Sequence, residues 1–222
     1  MSDLRKDWKP SRANMESSQL LGRVDELRST LQGQDPELVA IRSGSSYLTL
    51  CPGRGELHLP YWNHTCILRW PELTGFNDKD DSLPDFQLAM FLYYLVTADG
   101  TPLMGHWVSF ADLPDGRMYN AAFQGYSGDE IVKTFGLDLD GFITVCEKVG
   151  GKSVDVGSAS FIFQALPQVP LMLTYWLGDE DFPSSCKVLF DESAGHYLPI
   201  DACAILGSML TRRVIANASD TS

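Results

Sequence analysis

The stretch from Ser82 to Val96 constrains this chain more than any other. Phe86, Leu88, Ala89, Met90, Phe91, Leu92 and Leu95 cover nearly the whole circumference of a helix drawn through it. A helix that is apolar all round belongs inside a protein, so the rest of the chain must supply its cover. Pro84 suits a first helical turn, and Ser82 with Asp85 has the S-x-x-D form of a capping box. Asp99-Gly100 and Pro102 end the helix.

Cover is legible on both sides of it. Ahead lie an amphipathic helix from Glu16 to Leu31, a short helical turn from Asp35-Pro36 to Ile41, and three β-type runs: Tyr47–Cys51, Glu56–Leu59 and Thr65–Trp70. Turns at Pro52-Gly53 and across Pro60 to Asn63 make those runs an antiparallel meander. Behind it, Trp107 to Phe110 reads as a strand, Leu113-Pro-Asp-Gly116 as a turn and Tyr119 to Phe123 as a return element. Ser127 opens a helix to Phe135, and a second helix runs from Asp138 to Val149. Phe161–Leu166 and Val169–Leu177 are apolar enough to be buried strands, Lys187–Phe190 is a shorter one, and Pro199-Ile200-Asp201 opens a final helix. Arg212 and Arg213, near its carboxyl end, complement the helix dipole.

Strands clustered in two groups with helices between them disfavour repeated βαβ winding. The expected fold is α+β: a single domain over residues 16–217 with an antiparallel or mixed sheet, a buried central helix and outer terminal helices. Residues 1–15 and 218–222 read as tails.

Charge narrows the partners. Of 222 residues, 17 are basic and 29 acidic, a net charge of −12. Residues 1–69 carry 9 basic and 8 acidic groups, and residues 70–147 carry 3 and 13. An acidic chain lacks the basic surface that replaces phosphate counterions, so nucleic acid is not an expected partner. Either the acidic centre is a solvated face or it favours cationic partners. The most apolar stretch, Ser160 to Leu177, is interrupted by Gln164, Pro167, Gln168 and Pro170, which makes it core rather than membrane span. Met1 to Ser18 has basic residues with no apolar stretch behind them, unlike a secretory signal. Five widely spread cysteines then read as reduced thiols of a cytoplasmic protein.

Chemical motifs are few. Gly150-Gly-Lys-Ser153 resembles the end of a phosphate loop, but Cys146 stands where the full pattern has glycine, and Val154-Asp-Val156 follows where a helix is needed. Cys51, His58, His64 and Cys66 offer two sulfurs and two nitrogens, with His64 and Cys66 on one face of a strand. Their spacing departs from that of structural zinc sites, so no metal is expected. Two acidic constellations follow core strands: Asp179 with Asp181, and Asp191. Together they have the chemistry to bind a divalent cation or share a proton, with His196 as general base. Equally, they are ordinary turn formers that bond their own backbone amides. Trp107, Asp115, Tyr119 and Trp176 lie in the same segments and would line a ligand pocket if those segments join.

Two stretches carry a resemblance: Gly105-His-Trp-Val-Ser-Phe-Ala-Asp-Leu-Pro-Asp-Gly116 with Tyr119 and Phe123, and Leu166-Pro-Gln-Val-Pro-Leu171 through Trp176, Gly178-Asp-Glu180, Phe190-Asp191 and Leu198. In order and spacing, from Leu20 to Val214, the chain resembles the domain-of-unknown-function family DUF3786, found mainly in anaerobic prokaryotes. The resemblance implies a prokaryotic cytoplasmic protein, an accessory to one-carbon or corrinoid metabolism. Some relatives carry a cysteine-rich segment like those that hold iron–sulfur clusters in corrinoid proteins; here no cysteine precedes Cys51, and no cofactor is named.

The expectation is therefore a binding or accessory protein with a small-molecule or protein partner. The alternative is a divalent-metal-assisted hydrolase or lyase using Asp179, Asp181 and Asp191, with His196 as base.

Overall fold

The structure, a computed structural model, describes residues 24–218. The expected tail over 1–15, the opening of the first helix and residues 219–222 lie outside the described residues.

Two helices lead in, α1 (Val24–Gln32) and α2 (Pro36–Ser43). Asp35 caps α2 by accepting the N–H of Glu37 at 2.9 Å, and Pro36 occupies the first turn, where its missing donor costs nothing.

The first sheet has four antiparallel strands in sequential order: β1 (Ser46–Cys51), β2 (Arg54–Tyr61), β3 (His64–Trp70) and β4 (Thr74–Phe76). Gly53, at φ 76°, takes the left-handed position that a two-residue Pro-Gly turn requires. The second turn is tighter than the sequence suggests: Tyr61 pairs with His64, leaving Trp62 and Asn63 as the turn. Pro60 stays within β2 because it lies beyond the last β1 pair, where the strand has one neighbour and an edge tolerates the missing donor. Leu57, Leu59 and Tyr61 of β2 face inward with Cys66, Leu68 and Trp70 of β3, while Glu56 and His58 face out.

The second sheet is also antiparallel, ordered β5 (Trp107–Ser109), β9 (Ser185–Asp191), β8 (Val169–Trp176), β7 (Ala159–Leu166), β6 (Lys152–Val154). Seven consecutive residues of β8, Val169 to Tyr175, are buried, so this strand is covered on both faces. The fold is thus α+β with antiparallel sheets throughout.

The central helix α3 (Asp85–Thr97) joins the two sheets. Phe91 packs edge-on against Tyr61 with ring centroids 4.8 Å apart. On the other side, Tyr94 stacks on Tyr197, and its hydroxyl accepts the N–H of Gln168 in the β7–β8 turn. The expected capping box does not form. Ser82 pairs with Phe76 in a β-bridge, and the N–H of Leu83 donates to the carbonyl of Gly75, so the chain is still bound to the sheet edge when the helix begins.

The return element is helix α4 (Asn120–Tyr126), because Phe123 stacks on Phe110 at 4.2 Å and tilts against Phe190. Helices α5 (Gly128–Phe135) and α6 (Leu139–Lys148) follow. Asp138 caps α6 through the N–H of Gly141, whereas the Ser127 hydroxyl donates back to Phe123 and does not cap α5. Phe142 carries α6 onto the second sheet, 4.8 Å from Tyr175 and 5.9 Å from Phe161. The final helix α7 (Ile200–Ala218) packs on α4, α5 and α6, and most of its length from Ala202 to Val214 is buried. Among the described residues, no helix is long and apolar enough to cross a membrane.

Candidate functional site

The carboxylates singled out in the sequence do not converge. β8 and β9 form a hairpin, pairing Trp176 with Ser185 at one end and Leu171 with Phe190 at the other. Asp179 and Asp181 lie in the loop at the first end, and Asp191 closes β9 at the second. Six residues of extended strand separate Ser185 from Asp191, about 20 Å at 3.3 Å per residue. Oxygen ligands of one ion sit roughly 2.3–2.6 Å from it, so these groups cannot share a cation. The carboxylate cluster expected for a metal-assisted hydrolase therefore does not form. Trp107, paired with Asp191, and Trp176, paired with Ser185, are separated in the same way and do not line one pocket.

Asp179 and Asp191 have structural tasks instead. Asp179 accepts the N–H groups of Asp181 and Phe182 at 2.9 and 2.8 Å, closing a turn and holding its carboxyl below the usual range. Asp191 is buried. It accepts the N–H of Met104 (3.0 Å), Gly105 (2.7 Å) and Ser193 (3.0 Å) and the Ser193 hydroxyl (2.7 Å). Burial pushes its carboxyl up, but those hydrogen bonds outweigh burial and leave it below the ordinary value.

His196 ends the 3₁₀ turn Glu192–His196, where its Nδ1 lies 2.7 Å from Asp99 and 3.2 Å from the Thr101 hydroxyl. Tyr197 donates to the Thr101 carbonyl, and His106 meets Glu192 at 2.9 Å. Together these contacts fasten residues 99–106 as a strap over the 3₁₀ turn. Asp115, at φ 62°, is exposed and borders a cavity of about 170 Å³ with Leu113 and Gly195, while Tyr119 stands exposed at the start of α4. Trp176 is also exposed, with the Lys187 ammonium 5.9 Å from its ring.

The cysteine–histidine set separates by strand geometry. Cys51 sits at the β1–β2 turn, at the opposite end of β2 from the Tyr61–His64 pair. His58 points to the outer face, 3.3 Å from Glu56, while Cys66 points inward. His64 and Cys66 alone remain together, and they open onto a cavity beside the β2–β3 turn.

That cavity, of about 490 Å³, lies where four parts of the chain meet: the β2–β3 turn, the loop before α3, the first turn of α3 and the second half of α7. Its floor is Cys66 with Leu83 and Met209. The Cys66 sulfur accepts a hydrogen bond from Gln87 at 3.7 Å, and burial raises its thiol to about 11, so it stays protonated. Tyr61 donates to the Met209 sulfur at 3.5 Å, and burial raises its hydroxyl to about 12.

The rim is held rigidly. Asn77 accepts the N–H groups of Lys79 and Asp81, both at 2.9 Å, and donates to the Asp81 carboxylate at 3.2 Å. Asp80 ties the loop to Arg69 at 2.7 Å, and Asp78 lies 3.6 Å from His64. Opposite, the Arg213 guanidinium stands 5.7 Å from the Trp62 ring, within cation–π range. Trp62 is in the left-handed region at φ 51°, and its N–H is fastened to the Ala165 carbonyl at 3.0 Å. His64 and Cys66 are visible in the sequence as a same-face pair. Trp62 and Arg213 are not, because one reads as a turn residue and the other as a helix-dipole complement.

Fold and cavity define a class: an α+β protein of two antiparallel sheets bridged by a buried helix, with a side cavity built from distant segments. The family model for the domain of unknown function DUF3786 matches residues 35–213, and the chain belongs to that family. No curated protein and no solved structure matches it.

Proposed function

We propose that the chain is a cytoplasmic, prokaryotic binding or accessory protein rather than an enzyme, and that its ligand occupies the cavity beside Trp62. The observation that carries this reading is the convergence there of an aromatic ring, a protonated thiol and an uncommitted cation around about 490 Å³. That volume falls within the range of small-molecule sites, and a few polar groups over an apolar floor are what orient a ligand. Among the candidate catalytic residues, Asp179, Asp191 and His196 support the non-enzymatic reading, because each is engaged in holding a turn or the 99–106 strap.

Five unpaired cysteines, four of them buried, suit a reducing compartment. The acidic charge disfavours nucleic acid as a partner. Family resemblance supports the link to one-carbon or corrinoid metabolism. A complete corrinoid is larger than the cavity, which favours a smaller metabolite of such a system.

A thermal-shift screen over metals, corrinoids, nucleotides, small amines and small acids tests the reading, using the wild type and Ser82→Trp, which fills the mouth from an exposed position. A true ligand at a hundredfold excess over Kd adds about 2.7 kcal/mol, or roughly 5–10 °C in Tm. The expected hit stabilises the wild type and leaves Ser82→Trp unmoved. No shift with any compound, alongside a co-purifying protein partner, would replace this reading with a protein-interaction role.

A further inference from the structure

From the side chains that line the cavity we infer that it takes a planar organic monoanion, an aromatic or heteroaromatic carboxylate, held by Arg213 and stacked on Trp62. The inference rests on the cavity being the binding site.

Arg213 carries the argument. It projects from the buried helix α7, and its Nε is shielded from solvent with no acceptor in reach. Among the described residues it has neither a carboxylate partner nor a hydrogen-bond acceptor; its guanidinium stands by the Trp62 ring and near the Tyr61 hydroxyl. An unmet donor on a charged group is costly, so this wall gains most from an incoming acceptor. A guanidinium is a planar fork that matches a carboxylate in two parallel hydrogen bonds, which specifies the ligand's head group.

Two observations set the rest of the ligand. The Trp62 backbone is held by the Ala165 hydrogen bond, and its ring lies edge-on to Tyr61 with centroids 6.0 Å apart, beside the fork. A flat body continuing from the carboxylate would lie along that ring. The rim also limits charge. Asp78 and Asp81 line the same cavity and face solvent, and only Lys79 joins Arg213 as a cation. The two acids offset the two cations, so the lining has no surplus positive charge to hold a dianion, and a single carboxylate set on Arg213 is the anion it accommodates. Neither acid favours a cationic ligand as strongly. Asp81 already accepts from Asn77 and Asp78 faces His64, whereas Arg213 is uncommitted.

Calorimetric titration of the full chain with 2-naphthoate, its neutral amide 2-naphthamide and inorganic phosphate tests this. The acid should bind at least tenfold more tightly than the amide, and phosphate should not compete with it. Arg213→Gln should abolish the preference for the acid while leaving the far-ultraviolet circular dichroism unchanged. Equal affinity for acid and amide, an unaffected Arg213→Gln protein, or no binding of the acid would each overturn the inference. Ser82→Trp separates the two levels of failure. If it blocks a neutral ligand found by screening, the cavity stands as the site and the anion assignment falls. If the best ligand binds Ser82→Trp undiminished, the site itself is wrong.

Discussion

The Nδ1 atom of His196 lies 2.7 Å from the carboxylate of Asp99, a residue 97 positions earlier in the chain. This contact joins the end of the 3₁₀ turn after β9 to the segment that leaves the central helix. It is one of the fastenings that hold the strap 99–106 in place. The histidine that the sequence offers as a general base is here a structural partner, oriented by an acid and a threonine hydroxyl.

That pair sets a pH dependence with a definite sign. Hydrogen bonds from His196, then from the Thr101 backbone and side chain, hold the Asp99 carboxyl at about 2, below its ordinary 3.8. A lowered folded value stabilises the protein above pH 3.8, and that contribution is lost as pH falls toward 2. Asp99→Asn should therefore be less stable than the wild type at pH 5, with the difference closing between pH 4 and 2. Urea unfolding of both proteins across that range checks it; a difference independent of pH would contradict the assignment. The pair is half exposed, so the effect is small.

Asp191→Ala should be the more damaging change. It would leave the N–H groups of Met104, Gly105 and Ser193 facing a void in a buried site. Loss of a buried hydrogen-bonded carboxylate costs about 3 kcal/mol or more. Urea midpoints should fall accordingly, and amide exchange should rise first at residues 101–106.

Gly207→Ala tests the packing of α7. In an open helix alanine would gain about 1 kcal/mol over glycine. Here the new Cβ would stand 2.7 Å from the Phe123 ring, itself pinned against Phe110 and Phe190. Overpacking of this kind costs about 1–3 kcal/mol, so the clash outweighs the helical gain and the Tm should fall. Paired replacement with Phe123→Leu should recover part of the loss.

The thiols should react unequally. Cys51 is exposed, while Cys66, Cys146, Cys186 and Cys203 are buried. Burial raises Cys66 to about 11 and Cys203 to about 12, and moves Cys146 and Cys186 upward as well. A disulfide reagent at pH 8 should titrate one thiol in the native protein, none in Cys51→Ser, and all five after denaturation.

How much of this is legible beforehand depends on the residue. Pro52-Gly53 announces its turn because few residues tolerate φ 76°, and the β7–β8 hairpin is legible as two apolar runs around Pro167-Gln168. Tyr119 to Phe123 is left open because a segment so short fits either period, and Phe110 and Phe190 decide for the helix. Asp179 and Asp191 do mislead. Each follows a strand, but the strands are consecutive and joined by a short loop, so they run antiparallel and their carboxyl ends point in opposite directions. That inference was available from loop length alone.

By itself, the order of residues determines which segments must be buried and which must turn. An all-apolar helix has no exposed face to offer, and alternation along β2 and β3 assigns Tyr61 and Cys66 to one side and His58 to the other. Only the tertiary structure decides which buried segments become neighbours. Trp62 and Arg213 are 151 positions apart, and no local pattern ties a turn residue to the end of a helix. Their meeting follows from β2 packing against α3 and from α7 packing on its neighbouring helices, a consequence of long-range packing that local periodicity does not encode.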